Sequence, residues 1–303
     1  LAGMFGRQRL QADEFFVQQA WPLQSAHRGT YVGKIANRRL NTWLTTDGPD
    51  NQTNLMMDKY LAGLVLSANG FPVPAVKAIA GELGPGGVPA LRTEARLAEW
   101  LADAANLPAF AKPVDGSMAL GSVPLMAAGP GRIDIGGRIV ECAALAREVI
   151  RAFPRGWLIQ EQLRQPEEIE ARIGAGIGTV RLVTLWEETG PRVLYGVWRH
   201  PAPGTWVDAA IHGKPNVGCA LDDRGVVTMA RLGDLFTGRD ITQSLIDPAL
   251  PLVGFRLEQW DRIVAIGQAA HRLFPGHALI GWDFAMTRSG PVIGEVNANP
   301  LHL

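Results

Sequence analysis

The residues with the sharpest chemical potential lie near the C-terminal end of the chain. In Ile280-Gly281-Trp282-Asp283-Phe284-Ala285-Met286 a single carboxylate is flanked by apolar side chains. Such a carboxylate must be hydrogen-bonded, paired or bound to a cation, because burying an isolated charge is prohibitive. Val292-Ile293-Gly294-Glu295-Val296-Asn297 then reads as a second strand, with Glu295 and Asn297 on one face. If Arg288-Ser289-Gly290 forms a three-residue loop, Thr287 pairs with Pro291 and Asp283 falls opposite Glu295. A four-residue loop would pair Asp283 with Gly294 and part the carboxylates. In the first register two carboxylates and an amide oxygen converge, an all-oxygen set suited to Mg²⁺ held with phosphates and waters. The alternative is one hydrogen-bonded strand carboxylate and one solvated edge residue; three such groups in one hairpin favour the metal.

An ion with so few protein ligands shares its coordination with phosphates, so the chain should also supply phosphate-binding cations. Lys112 ends the apolar run Phe110-Ala111-Lys112-Pro113, where a solvated lysine is out of place. The loop Asp115–Gly121 follows, with small residues whose amides can approach phosphate oxygens. It lacks the GK[ST] ending of a Walker A loop. Arg181 sits inside the apolar stretch Thr179–Leu185, a costly place unless it faces an anion or a carboxylate. Two roles stand open for it: bidentate contact with a transferring phosphoryl group, or a buried partner for Asp283 or Glu295.

The elements that must position these groups follow from periodicity. Leu55, Met56, Tyr60, Leu61, Leu64 and Val65 predict one helix from Asn54, ending at Gly70. Pro72 and Pro74 force an extended segment, and Thr93 caps a helix carrying Leu97, Trp100 and Leu101. A third helix covers Glu141–Phe153. Trp157–Leu163, Thr179–Trp186 and Arg192–Trp198 are strands; 201–218 is a long loop; Leu257–Phe274 is an amphipathic helix. Two strands, Ala278–Thr287 and Pro291–Asn297, close the chain. Helices and strands interleave without a strict βαβ rhythm, which predicts an α+β fold. The basic group His27, Arg28, Lys34, Arg38 and Arg39 reads as solvated surface, and the tryptophans as packing residues.

At 47% hydrophobic and 19% charged residues the composition is that of a folded chain, not a disordered one. Lysine plus arginine equals aspartate plus glutamate at 29 each, so no global field recruits nucleic acid. Cys142 and Cys219 have neither disulfide-framework nor zinc spacing, and no apolar run is long enough for a membrane span. These features lead us to expect a cytoplasmic protein.

Taken in order, these pieces resemble an ATP-grasp enzyme, and most closely the sugar-transfer-associated ATP-grasp family. The matching stretches are Met57-Asp58-Lys59-Tyr60, Ala111-Lys112-Pro113, Glu161-Gln162-Leu163, Gly178–Thr184, Gly281–Thr287 and Gly290–Pro300. The resemblance implies two α+β lobes clasping ATP, with a short, mostly helical N-terminal segment. Its boundaries fall at 1–53 (N-terminal segment), 54–106 (helical linker and start of the ATP-grasp region), 107–163 (small lobe with lid loop 115–121) and 164–303 (large lobe with the metal-binding hairpin). Lys59 and Lys112 would hold phosphates. Glu161, Gln162 and Leu163 would form the adenine-recognising hinge, with Glu168 on the ribose. Arg181, with Lys112, would act on the transferred group. Asp283, Glu295 and Asn297 would bind Mg²⁺, or Mn²⁺ in its place. Arg199, His212, Lys214 and Asn216 would face the acceptor. Two features depart from the family pattern: a lid loop poor in glycine, and an N-terminal segment short for the domain that commonly precedes the fold.

The implied activity is ADP-forming ligation of a small-molecule carboxylate to an amine or other nucleophile through an acyl phosphate. A kinase on the same scaffold and a non-catalytic ATP-binding regulatory module are the alternatives.

Overall fold

In Ala109-Phe110-Ala111-Lys112-Pro113 the first, third and fifth residues are buried and the two between them half-buried, the period-two signature of a strand with one wet face. That alternation organises the first of two seven-stranded sheets in the computed structural model, which describes residues 34–84, 87–116, 119–208, 215–233, 238–298 and Pro300. The chain enters through α1 (Lys34–Trp43), α2 (Thr53–Met57) and α3 (Lys59–Ala68). It then forms β1 (Val76–Ala80), β2 (Ala90–Leu91), α4 (Glu94–Ala102), β3 (Ala109–Pro113), β4 (Val123–Ala127), β5 (Arg132–Asp134), β6 (Ile139–Glu141), α5 (Cys142–Ala152) and β7 (Trp157–Glu161). The first sheet runs β2-β1-β7-β3-β4-β5-β6. Helices α4 and α5 pack together, and Leu97, Leu101, Leu145 and Val149 fill the core with Ala111, Leu125 and Ile159.

The second lobe follows with α6 (Glu167–Ile173), β8 (Thr179–Glu187), β9 (Gly190–His200), β10 (Val217–Leu221), β11 (Val227–Leu232), β12 (Arg239–Ile241), α7 (Trp260–His271), β13 (Leu279–Thr287) and β14 (Gly290–Asn297). Its sheet order is β12-β11-β10-β9-β8-β13-β14, antiparallel throughout. Trp198, Trp260, Trp282, Phe274 and Phe284 dominate the core beneath it. Both cysteines are buried and free. Among the described residues no helix is long and apolar enough to cross a membrane.

The structure redraws several expected elements. The helix expected from Asn54 breaks at Asp58, whose extended backbone (φ −88°, ψ 105°) separates α2 from α3. The Asp58 carboxylate caps α3 by accepting from the Tyr60 and Leu61 amides at 3.0 and 2.9 Å. Met56, Ala62 and Leu66 of these helices join the large-lobe core, and α3 lies against β14. Residues 76–91, expected as linker, supply two strands to the small-lobe sheet instead. Trp43 is 80% exposed, so not every tryptophan packs, whereas Arg38 and Arg39 are exposed as expected. Expectations for residues 1–33 lie outside the described residues.

One glycine is required by a close approach of backbone to backbone. Gly81, at the end of β1, has φ +117°, and a Cβ there would stand 2.8 Å from the Pro154 carbonyl oxygen and 3.0 Å from Gly156 Cα. Both obstacles are backbone, and the φ disfavours any other residue. Gly81→Ala should lower unfolding free energy by about 2–4 kcal/mol, read as a lower denaturant midpoint with an unchanged m value.

Candidate active site

A cleft of about 480 Å³ lies between the two sheets. From the small lobe β3 lends Phe110 and Lys112, its two half-buried residues. From the large lobe come Thr179 and Arg181 of β8, Asp283 and Ala285 of β13, and Glu295 and Asn297 of β14. Lys59, Gln162, Leu163, Ile177 and Arg199 are also among the residues that line it.

Arg181, Asp283 and Glu295 stand opposite one another on three adjacent strands. The hairpin reaches this register by a route other than the expected one. The loop is the two residues Arg288-Ser289, and Thr287 pairs with Gly290, not Pro291. Continued regularly, that register would set Asp283 opposite Gly294. A bulge between Asp283 and Phe284 absorbs Gly294 and restores Glu295 opposite Asp283. The Gly294 carbonyl then accepts from Lys112 Nζ at 2.9 Å.

Asp283 is buried and bound on both oxygens. Arg181 Nε donates to Oδ1 and its Nη2 to Oδ2 at 2.9 Å, while Arg199 Nη2 lies 3.1 Å from Oδ1. Burial alone would raise this carboxyl's pKa, but the two guanidiniums outweigh it and hold it below the usual carboxylate range. Arg181 therefore takes the buried-partner role left open by its sequence, while still lining the cleft. Glu295 has no partner so near; Lys59 Nζ is 3.8 Å away, and burial, reinforced by Asp283, raises its pKa.

The lysines also hold internal acceptors. Lys59 Nζ donates to the Gly116 carbonyl at the root of the loop after β3. Lys112 is pushed down to about 8, chiefly by burial, with Lys59 adding to the shift and Glu295 opposing it. At the far end Asp208 accepts from Thr179 Oγ1 and lies 3.2 Å from Arg199 Nη2. Trp206 closes the same end. Gly136, of the β5–β6 turn in the other lobe, has no side chain, and a Cβ there would be 2.8 Å from the indole.

The sequence matches the sugar-transfer associated ATP-grasp family over residues 45–303. The chain belongs to that family. Its fold is accordingly ATP-grasp, with two α+β lobes. Solved structures similar to it include VanG D-Ala:D-Ser ligase from Enterococcus faecalis, at 18% identity and TM-score 0.48, covering 85% of this chain and 56% of that one. An L-amino acid ligase from Bacillus licheniformis matches at 12% identity and TM-score 0.45, covering 88% and 46%. N5-carboxyaminoimidazole ribonucleotide synthetase from Thermus thermophilus matches at 13% and 0.45, covering 89% and 52%. This chain thus spans about half the length of those proteins. A search of curated protein sequences found no match.

Most of the expected ATP-grasp residues line one cleft: Lys59, Lys112, Glu161, Gln162, Leu163, Arg181, Arg199, Asp283, Glu295 and Asn297. Glu161, at the end of β7, also accepts through its Oε1 from the Ala75 amide at 2.8 Å, which ties β7 to the segment before β1. Glu168 is not among the cleft-lining residues; it sits in the first turn of α6, near Glu258 and Arg172. Asn216 does not line the cleft either; its Nδ2 donates to the Asp208 carbonyl at 2.8 Å. His212 and Lys214 lie outside the described residues.

Sequence reasoning missed Asp58 as a cap, Gly294 as a bulge, Thr179 as the Asp208 partner, and Trp206. An aspartate before an apolar-periodic run and a glycine inside a strand pattern were the available signals for the first two. Nothing local marks the others.

The residues fit a hard divalent cation. Two carboxylates and an amide meet on the hairpin, the Asn297 Nδ2 donating to Asp283 Oδ2 at 3.4 Å, and Glu295 is a half-buried acid whose nearest cation, Lys59 Nζ, is 3.8 Å away. Among the described residues no three His, Cys, Asp or Glu side chains cluster to hold a metal unaided. The donor set therefore suits an ion that brings phosphate oxygens with it.

Lys112 gives a signed test. Its depressed pKa means that the unfolded chain binds this proton more tightly, so the lysine destabilises the fold fully below about pH 8. That cost fades as pH rises from about 8 toward 10.5. Lys112→Met should therefore stabilise the protein at pH 7 by about 1–2 kcal/mol, the orphaned Gly294 carbonyl offsetting part of the gain. In thermal melts across pH, the difference from wild type should shrink above pH 8.

Proposed function

We propose that this protein is an ADP-forming ligase that joins a small-molecule carboxylate to an amine or another nucleophile, taking the phosphoryl group from ATP. The observation that carries the reading is the convergence in one interlobe cleft of Lys59, Lys112 and Arg181 with Asp283, Glu295 and Asn297. Two lysines and an arginine facing two carboxylates and an amide make an arrangement for a polyphosphate and its counter-ion, not for a neutral ligand.

In this reading the base lies against the hinge at Gln162 and Leu163, between Phe110 of one lobe and Ile177 of the other. Lys112 and Lys59 hold phosphate oxygens. A substrate carboxylate oxygen attacks the γ-phosphorus, the bond to the bridging oxygen breaks, and ADP departs. Arg181 neutralises charge on the transferred group. The amine then attacks the acyl carbon, loses a proton, and expels inorganic phosphate. Asp283, Glu295 and Asn297 would hold a magnesium ion, which when bound would supply charge neutralisation at the phosphates. No protein nucleophile is required, which agrees with the inert state of the buried Cys219, whose thiol burial pushes up to about 12. Arg199, fixed between Asp208 and Asp283, faces the acceptor end together with Trp206.

The test is ADP and phosphate release from Mg-ATP against pooled carboxylic acids, with and without amines, alongside hydroxylamine trapping. Acid-dependent ADP release with hydroxamate formation is the expected result. A stable phosphorylated product without hydroxamate would replace ligation by phosphotransfer to an acceptor. Glu295→Gln should lower turnover by at least about 100-fold while leaving the melting temperature near wild type. Full activity in that variant would remove Glu295 from the metal set.

A further inference from the structure

The turn Pro154-Arg155-Gly156, just before β7, holds the N-terminus of α3 and the root of the loop after β3 together. Arg155 Nη2 donates to Asp58 Oδ2, and its Nη1 to Asp115 Oδ2 at 3.2 Å. The Asp58 carboxylate is only 1% exposed, and its Oδ1 is already committed to capping α3. The backbone repeats the connection. Val114 N donates to Gly156 O at 3.0 Å, and Lys59 N to Val114 O at 2.8 Å. Lys59, the first residue of α3, also bonds Gly116 through its side chain.

We infer that Arg155 is a positioning residue, which locks segment 114–116 to the start of α3 so that Lys59 and the loop root face the nucleotide phosphates as one unit. The inference rests on the nucleotide reading above and adds a residue that lies outside the cleft lining. An exposed arginine–aspartate pair alone contributes little. Here one guanidinium spans a buried capping carboxylate and a half-exposed loop carboxylate, so the geometry of one partner is passed to the other. Asp115 follows Val114 directly, and Gly116 follows Asp115; a shift of Asp115 therefore moves both carbonyls that hold Lys59.

The experiment measures binding of Mg²⁺ with a non-hydrolysable ATP analogue by calorimetry, and melting temperature in parallel, for Asp115→Asn, Arg155→Met, Arg155→Lys and the double variant Asp115→Asn/Arg155→Met. Asp115 is half exposed, so Asp115→Asn should melt near wild type yet bind about fivefold to tenfold more weakly. Arg155→Met should lose at least as much, the double variant no more than Arg155→Met, and Arg155→Lys should recover part of the affinity. Affinity within about twofold of wild type in Asp115→Asn and Arg155→Met, whatever their melting temperatures, would overturn the positioning role, as would losses that multiply in the double variant. If the wild type itself failed to bind the analogue, the nucleotide reading would fall and this one with it.

Discussion

The Asp283 carboxylate is the constraint around which the large lobe is arranged. It lies on β13 between β8 and β14, with apolar residues on either side along the strand. A charge so placed has to be answered by other charges. The answers come from Arg181 on β8 and Arg199 on β9, and Arg199 in turn needs Asp208, which Thr179 and Asn216 hold in place. One buried acid thus specifies a network that reaches across β14, β13, β8 and β9 into the loop after β9. Such a network determines which strands sit together and where the loop carrying Trp206 crosses the cleft. Arg181, Arg199, Thr179, Asp208 and Asp283 of this network line the same cleft, so the answer to a burial problem also shapes its wall.

The small lobe is built on the opposite terms. Its sheet buries Ala78, Ala80, Ala109 and Ala111 beside Trp157, Leu125 and Ile159, and Lys112 is a costly addition at the cleft. Burial lowers the lysine's pKa to about 8, and a nearby cation, Lys59, pushes in the same direction. A group that weakens the fold at neutral pH persists only where something other than the fold requires it. The same reasoning applies to Glu295, held protonatable by burial and by Asp283. Perturbed groups thus stand on both walls of one cleft, Lys112 on the small lobe and Glu295 on the large.

Much of this was legible in the sequence because it follows from local cost. Lys112 and Arg181 stood out as charges in apolar stretches, which marked both as groups in need of an anion or a carboxylate. The opposition of Asp283 and Glu295 could be argued from the hairpin, although the loop is shorter than expected and the bulge at Gly294 makes up the difference. The failures share a different cause. The β4–β6 meander is short and contains Pro124, so its pattern is weaker than its tertiary pairing. Glu168 follows the family spacing in sequence, yet in the first turn of α6 it is not among the cleft-lining residues. Asp208 and Trp206 acquire their places only when the loop meets Thr179 of its own lobe and Gly136 of the other. Contacts of that sort are set by the packed lobes and leave no periodic trace in the chain.

The cationic side chains are not waiting in solvent. Lys59 is bonded to Gly116 O, Lys112 to Gly294 O, and Arg181 to both oxygens of Asp283. A phosphate must therefore compete with acceptors that already satisfy these groups, and the net gain per contact is smaller than a bare ion pair suggests. What the arrangement secures is geometry: each cation is held by a partner on a different element, two of them backbone carbonyls. Preorganisation of this kind favours a charge distribution that matches all three at once over any single anion. A polyphosphate with a bound cation supplies such a distribution, since its oxygens draw the lysines and arginine while its counter-ion satisfies the carboxylates they leave.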